Sequence, residues 1–219
     1  MKTTSLLKYL TAVACILFMA GCATKAPYDY TAFKESRPKS ILVLPPINNT
    51  PEVPASYSVL SYATLPLAEA GYYVMPVTMV AEAFKENGVT QPSDMHATSA
   101  EKLRQIFGAD AVLYITVEKY GTVYQLIDSA AIVSANAKLI DLKTGKLLWA
   151  GSASASSNEG QNQQGGLAVM LVSAIVKQVV GTMVDESHRV AGVTTARLLH
   201  PRKDSGILYG PRSPNYGKD

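Results

Sequence analysis

Cys22 presents the first candidate for chemistry, because its thiol lies between an apolar run and a polar, proline-containing segment in FMAGCATKAPYDY, residues 18–30. Such a cysteine could be a core residue, a reactive thiol or the point at which the chain is fastened to a membrane. The small residues Ala20 and Gly21 would let the backbone enter a narrow protease cleft. This spacing favours covalent processing at Cys22.

The elements before Cys22 indicate a targeting signal. Lys2 and Lys8 supply positive charge, and residues 9–20 are almost wholly apolar. That pattern is typical of a signal peptide. The alternative is a permanent amino-terminal membrane helix, which needs about 20 apolar residues and is therefore less favoured. We predict a signal peptide over residues 1–21.

The four residues Met19 to Cys22 resemble the bacterial lipobox, in which the cysteine is acylated before a peptidase cuts ahead of it. Met19 departs from the usual Leu. Each buried CH2 of the acyl chains would contribute about 0.8 kcal/mol, enough together for stable anchoring. In lipoproteins of this kind the next residue directs sorting, and Ala23 rather than Asp implies the outer membrane. Residues 22–39, with Pro27 and Pro38, are predicted to be a lipidated tether.

Other side chains capable of chemistry lack the spacing that catalysis or metal binding needs. His96, His188 and His200 are far apart and match no zinc-ligand motif, so we interpret them as exposed or capping residues. The Thr144-Gly145-Lys146 sequence lies between two predicted strands, where a turn explains it better than a phosphate loop. No G-x-S-x-G elbow occurs. We therefore predict no catalytic residue, no metal site and no cofactor.

One loop is a candidate binding surface. Asn48, Asn49, Thr50 and Glu52 follow the first predicted strand. Ligands of open α/β sheets often bind outside the carboxyl ends of strands. We therefore name this loop as the possible ligand site.

The charge of the chain argues against nucleic-acid binding, and its cysteine content argues against a disulfide. Removing Lys2 and Lys8 with the signal lowers the formal charge from +3 to +1, which leaves no basic face for nucleic acid. Cys15 leaves with the signal and Cys22 is consumed by lipid, so no disulfide is expected within the mature chain.

The middle of the chain predicts an α/β fold. Apolar runs at 40–46, 71–76 and 111–117 indicate buried strands, with helices predicted at 57–70, 78–87 and after a capping box of Thr98 and Glu101. Strands separated by helices imply parallel crossover units. We predict a single mixed sheet over residues 40–199, followed by an extended C-terminal tail over 200–219 that is attached through Ile207, Leu208 and Tyr209.

An antiparallel hairpin completes the predicted sheet. The odd positions from Ala131 to Leu139 are apolar, while Ser134, Asn136 and Lys138 alternate to the other side, which is typical of a half-solvated antiparallel strand. The return strand is predicted to face inward at Leu147, Trp149, Ala153 and Ala155.

A helix predicted at 167–184 is apolar on nearly all of its faces. It could be buried against the sheet, inserted in a membrane or shared with another subunit or partner. A shorter helix is predicted at 185–198.

Several segments together resemble a family of bacterial lipoproteins of unknown function that includes a neisserial surface-antigen lipoprotein. They are ILVLPPINNTPEV, LPLAEAGYYVMPV, GADAVLYITVEKYG, LIDLKTGKLLWAGSA and ILYGPRSP. The ADAVLYITV and LIDLKTGKLLW elements also resemble the wider superfamily of the curli-export lipoprotein and the amino-terminal domain of TolB. That resemblance implies a mixed sheet packed by helices, and members that form rings or act as envelope accessory proteins.

We therefore predict an outer-membrane lipoprotein, held by its lipid anchor and facing the periplasm or the cell surface. It would be a non-enzymatic scaffold or accessory factor in envelope assembly or secretion. Its expected partners are a second copy of itself or an envelope protein. The alternative is an envelope hydrolase or small-ligand binder that uses the loop from Asn48 to Glu52.

Overall fold

Two apolar segments of the sequence, near residues 42 and 113, lie side by side inside one mixed sheet of six strands. The computed structural model describes residues 28–124, 129–160, 186–202 and 204–218. The strand order is β3-β1-β4-β5-β6, and β2 continues the pairing with β4 beyond β1. The strands are β1 (Ser40–Val43), β2 (Ile47–Asn48), β3 (Tyr73–Val74), β4 (Ala111–Tyr124), β5 (Ser129–Asp141) and β6 (Leu147–Ser156).

Helices fill the connections between the strands and flank the sheet. They are α1 (Thr31–Ser36), α2 (Ala55–Glu69), α3 (Val77–Glu86), α4 (Pro92–His96), α5 (Ala100–Phe107) and α6 (Glu186–Leu199). A 3-10 turn, Ser157–Gly160, follows β6. The parallel pairs β1 with β3, β1 with β4 and β2 with β4 join the antiparallel pairs β4 with β5 and β5 with β6. The predicted mixed α/β sheet is confirmed.

Both faces of β1 are buried, because alternate side chains enter two different cores. Ile41 and Val43 belong to the larger core, which α2 and α6 cover with residues such as Leu67 and Leu198. Leu42 belongs to the smaller core, together with residues of α3, α4 and α5. This explains why the first strand is an uninterrupted apolar run.

The alternation predicted for β5 is present. Val133, Ala135 and Ala137 are buried, whereas Asn136 and Lys138 are exposed. Strand β5 pairs with β4 on one side and with β6 on the other. The sheet therefore has an apolar face under α6 and a polar face over its antiparallel half.

The prediction that Leu147 of β6 faces inward is wrong. Leu147 is 48% exposed, and its neighbour Leu148 is 2% exposed. The register between β5 and β6 shifts at Leu139 and Ile140. An irregularity of this kind changes which side of a strand each residue faces. Leu148 and Trp149 are consequently both buried.

The first described residues pack against the domain, whereas the sequence predicts a tether there. The predicted tether, residues 22–39, contains α1, and Phe33 of that helix is buried in the larger core. Tyr28 also takes part, because its hydroxyl accepts a hydrogen bond from the Ala150 amide at 2.9 Å. Residues 28–39 thus belong to the fold, and a free tether can extend at most from Cys22 to residue 27.

The C-terminal segment also packs on the domain. Ile207 and Leu208 are buried in the larger core, at the positions where the sequence suggested attachment. Tyr72 Oη donates to the Leu208 carbonyl at 2.5 Å, and Trp149 Nε1 donates to the Ser205 carbonyl at 2.8 Å. The predicted final helix is present as α6, and the predicted helix at 167–184 lies outside the described residues.

Candidate functional site

Cys22 lies outside the described residues, so its lipidation stays a prediction. None of the helices in the described part of the chain is long and apolar enough to cross a membrane.

The predicted binding loop after β2 is held by hydrogen bonds among its own residues. Asn48 Oδ1 accepts from the Thr50 amide at 2.9 Å and from Thr50 Oγ1 at 2.7 Å. Asn48 Nδ2 donates to the Glu52 carbonyl at 2.8 Å. Asparagine commonly closes a turn in this way. The side chain that looked most available for a ligand is therefore occupied in shaping the loop.

Asn49 is tied to the sheet. Its amide donates to the Val117 carbonyl at 2.9 Å, and its Nδ2 donates to Glu118 Oε2 at 3.1 Å. The other oxygen of Glu118 accepts from Asn136 Nδ2, also at 3.1 Å. The loop, β4 and β5 are thus joined through one carboxylate. Both of its oxygens accept a hydrogen bond from an asparagine, so the carboxylate serves as a cross-link in the fold.

An apolar cleft of about 680 Å³ opens beside this loop, between the start of α2 and the α3–α4 connection. Val53 and Tyr57 border it and are 78% and 73% exposed. Among the described residues that line it, none is Asp, Glu or His. A hydrolase would need a nucleophile with a nearby base. The cleft, with Val53 and Tyr57 at its border, offers exposed side chains for contact with another apolar surface.

A second concavity of about 790 Å³ lies on the polar face of the sheet, and we call it the sheet groove. It was missed at the sequence level, although the alternating polar residues of β5 were visible there. Its polar lining includes His96, Thr116, Asn136, Lys138, Ser152 and Arg202. These groups could hydrogen-bond a polar ligand, but no described lining residue is a carboxylate.

His96 is half-buried at the end of the sheet groove rather than fully exposed. Its Nε2 lies 2.9 Å from the Pro45 carbonyl, and its ring meets Tyr114 edge-on at 5.1 Å. Burial lowers the pKa of His96, an effect only partly offset by the hydrogen bond to Pro45. Burial also raises the pKa of Tyr114. His96 is thus a neutral link between α4 and the segment that follows β1 at pH 7.

The three histidines do not meet. The ring of His188 packs at a tilt against that of Tyr62, with centroids 4.8 Å apart, and His200 is exposed. Within the described ranges, no three His, Cys, Asp or Glu residues are grouped so that they could hold a metal ion.

Comparison with known proteins identifies relatives over most of the chain. The family described as "Putative lipoprotein GNA1162-like" matches residues 28–212. The chain is 50% identical over 203 residues to "Putative lipoprotein NMB1124/NMB1162" of Neisseria meningitidis serogroup B, covering 91% of this chain and 94% of that protein.

Two solved structures are similar to this chain, and the first of them shares its fold. The crystal structure of lipoprotein GNA1162 from Neisseria meningitidis is 54% identical, with a TM-score of 0.54, over 65% of this chain and 98% of that one. A PelC dodecamer from Paraburkholderia phytofirmans is 17% identical over 76% of this chain and 90% of that one, with a TM-score of 0.45. The latter similarity is too low to support an inference about assembly.

Proposed function

The chain belongs to the GNA1162-like family of lipoproteins, and from that premise we propose that it is a non-enzymatic accessory protein anchored by lipid to the outer membrane. Residues 1–21 would be removed as a signal peptide, and Cys22 would carry the acyl chains. The observation that carries the proposal is the match to a lipoprotein over 91% of the chain, combined with the lipobox-like Met19-Ala20-Gly21-Cys22.

Ala23 supports the outer membrane as the destination. Lipoprotein sorting depends on the residue after the acylated cysteine, and Asp at that position retains a lipoprotein in the inner membrane. Ala23 carries no such retention signal. The domain would therefore be held at the outer membrane, facing the periplasm or the cell surface.

The described polar groups support a scaffold rather than an enzyme. The side chain of Asn48 closes its own loop, and both oxygens of Glu118 accept from asparagines. By contrast, the most exposed apolar side chains on α2 and just before it, Val53, Tyr57 and Leu65, remain available for contact. Exposed apolar residues grouped beside a cleft favour protein docking. Self-association or docking of an envelope partner would use this surface.

The anchor is tested by Cys22→Ala in the cell of origin. The parent chain should incorporate radiolabelled palmitate and sediment with outer membranes, whereas Cys22→Ala should do neither. Ala23→Asp should keep the label but move the protein to the inner-membrane fraction. Persistence of Cys22→Ala in washed membranes, without label, would contradict the proposed anchor.

The scaffold role is tested by mass photometry and cross-linking of the chain from residue 22 onward. We expect a species larger than a monomer, or a cross-linked envelope protein, that is lost in Val53→Ser/Tyr57→Ser. Ile106→Ser is the matched control, since Ile106 is also exposed but lies on α5. A strict monomer that captures no partner would count against this role.

A further inference from the structure

A cavity of about 390 Å³ lies between α1 and the C-terminal segment, and we call it the α1 cavity. Two cations line it, Lys34 and Arg37. Its walls carry the rings of Tyr72, Tyr209 and Tyr216, and Phe33 and Leu208 close it toward the core. A cavity that combines cations, phenol rings and an apolar floor suits a ligand with an anionic group next to an apolar one.

The charges around this cavity are mostly positive. None of the described residues lining it is acidic, and Lys39 follows directly on the lining residue Pro38 in the chain. The nearby Glu35 is paired with Lys146 at 3.4 Å, and Asp29 accepts from the Thr31 amide at 2.9 Å. The net field at the cavity therefore attracts anions.

Arg37 adopts a backbone conformation that an arginine rarely takes. Its φ of 46° and ψ of 57° are left-handed, and it is the one described non-glycine residue with a positive φ. This position ends α1, where glycine or asparagine is usual. Its Nε donates to the Lys34 carbonyl at 3.1 Å in an exposed hydrogen bond. A non-glycine residue held in a strained backbone conformation points to a use for its side chain.

The position of the α1 cavity in the chain places it close to the membrane. Six residue steps separate Cys22 from Tyr28, the first described residue, and they span at most about 20 Å. With Cys22 acylated, Tyr28 would therefore lie within about 20 Å of the bilayer surface, a distance shorter than the width of a domain of this size, which is roughly 40 Å. Ring contacts then lead directly to the cavity, from Tyr28 to Tyr30 at 4.8 Å and from Tyr30 to Phe33 at 6.4 Å.

We propose that the α1 cavity binds the phosphate headgroup of an anionic phospholipid in the membrane that holds the anchor. Lys34 and Arg37 would pair with the phosphate, and the tyrosine rings would lie at the level of the headgroups. This second contact would fix the orientation of the domain on the bilayer. The proposal rests on the proposed lipidation of Cys22 for its geometry.

The test measures binding of the chain from residue 22 onward, carrying Cys22→Ala, to phosphatidylethanolamine vesicles with and without 30% phosphatidylglycerol. The unlipidated chain should float with the anionic vesicles only, and less so as salt is raised. Each basic residue near an anionic surface contributes about a fivefold change in binding. We therefore expect Lys34→Gln/Arg37→Gln to weaken binding at least tenfold. Lys102→Gln/Arg104→Gln, two exposed cations of α5, should change it by less than about threefold.

Arg37→Gly separates a binding role from a structural one. Glycine accepts the left-handed conformation without strain, so this variant should unfold at the same urea concentration as the parent or a higher one. Its affinity for the anionic vesicles should nevertheless fall about fivefold. Lower stability with unchanged vesicle binding would overturn the proposal.

Two further outcomes of the vesicle assay test the headgroup proposal. Equal binding to neutral and anionic vesicles would overturn the proposal. Loss of vesicle binding on adding inorganic phosphate at constant ionic strength would also overturn it, since that would indicate a site for a free anion. Because this assay uses an unlipidated chain, palmitate labelling of Cys22 can succeed while vesicle binding fails. The failure of the headgroup site is thereby distinguished from the failure of the anchor.

Discussion

Ser36 Oγ donates a hydrogen bond to Asp141 Oδ2, across 105 positions of the chain. Ser36 is the last residue of α1, and Asp141 is the last residue of β5. The other oxygen of Asp141 accepts from the amides of Lys143 and Thr144, at 2.9 and 2.6 Å. One buried carboxylate therefore closes the turn of the hairpin and attaches to it the helix nearest the proposed anchor.

Asp141→Asn is expected to lower the free energy of unfolding by about 1–2 kcal/mol at pH 7. Hydrogen bonds to a charged group are stronger than those to a neutral amide, and the Asn side chain turns one acceptor into a donor. Urea unfolding followed by the fluorescence of Trp149 measures the change. Asp204→Asn is the matched control, because Asp204 is exposed, and it should change stability by less than about 0.5 kcal/mol.

The effect of Asp141→Asn should depend on pH. Burial raises the pKa of Asp141, but the hydrogen bonds from Ser36, Thr144 and Lys143 outweigh it and hold the pKa below its ordinary value of 3.8. A depressed carboxyl pKa stabilises the fold above the unfolded value and ceases to do so as the pH falls through the folded one. The parent and the variant should therefore converge below about pH 3.8. A difference that stays constant from pH 7 to pH 3 would contradict this.

His96 predicts a second, separate pH dependence. Burial holds its pKa below the ordinary value of 6.5, so the unfolded chain takes up a proton more readily than the folded one. Its contribution to stability is present above about pH 6.5 and is lost as the pH falls through the folded pKa. His96→Gln keeps a donor for the Pro45 carbonyl and should remove this dependence. Proton NMR of the ring should give a titration midpoint below 6.5, and a midpoint above it would be inconsistent with the burial of His96.

Asn48→Ala tests whether the loop after β2 is structural. The substitution removes three hydrogen bonds, to the Thr50 amide, the Thr50 hydroxyl and the Glu52 carbonyl. We expect a loss of about 1–2 kcal/mol in urea unfolding. Asn49→Ala, which removes one exposed side-chain bond to Glu118, should cost less than about 0.5 kcal/mol. Equal stability of the two variants and the parent would leave the loop free to serve a ligand.

The sheet was predictable from the sequence because burial imposes a pattern on it. The run around Leu42 is apolar on both faces since two cores enclose β1, and the alternation of β5 follows from one helical cover. Helix ends were less certain. The capping residue of α5 is Ser99, whose Oγ accepts from the Lys102 amide at 3.3 Å, rather than Thr98. Adjacent hydroxyl residues are alternatives that only the backbone conformation separates.

Features that depend on long-range pairing were not predictable. Leu147 faces outward because of a register shift at Leu139 in the neighbouring strand, and no local pattern contains that information. Phe33 lies in a short polar segment, yet the core that buries it includes residues more than 100 positions away, such as Leu139 and Trp149. The sheet groove and the α1 cavity likewise form between segments that are distant in sequence.

Gly71→Ala should detach the C-terminal segment from the domain. Gly71 has a φ of +98°, and a Cβ there would lie 2.4 Å from the Ser213 amide nitrogen and 2.8 Å from the Gly210 carbonyl oxygen. The same segment bonds to this turn through the Gly210 amide to Ala70 at 2.8 Å and the Arg212 amide to Gly71 at 3.1 Å. Backbone strain and the clash together should lower the free energy of unfolding by about 3 kcal/mol.

Gly88→Ala is the control that separates strain from the clash. Gly88 also has a positive φ, +76°, but a Cβ there meets nothing within 4 Å, so only the strain of about 1 kcal/mol should appear. Trypsin should cut after Arg212 faster in Gly71→Ala than in either Gly88→Ala or the parent, because the C-terminal segment no longer packs against the turn at Gly71. The rings of Tyr209 and Tyr216 leave the α1 cavity with it, so Gly71→Ala should also weaken vesicle binding. If the two alanine variants lose equal stability and are cut equally fast, the C-terminal segment does not depend on this turn for its position.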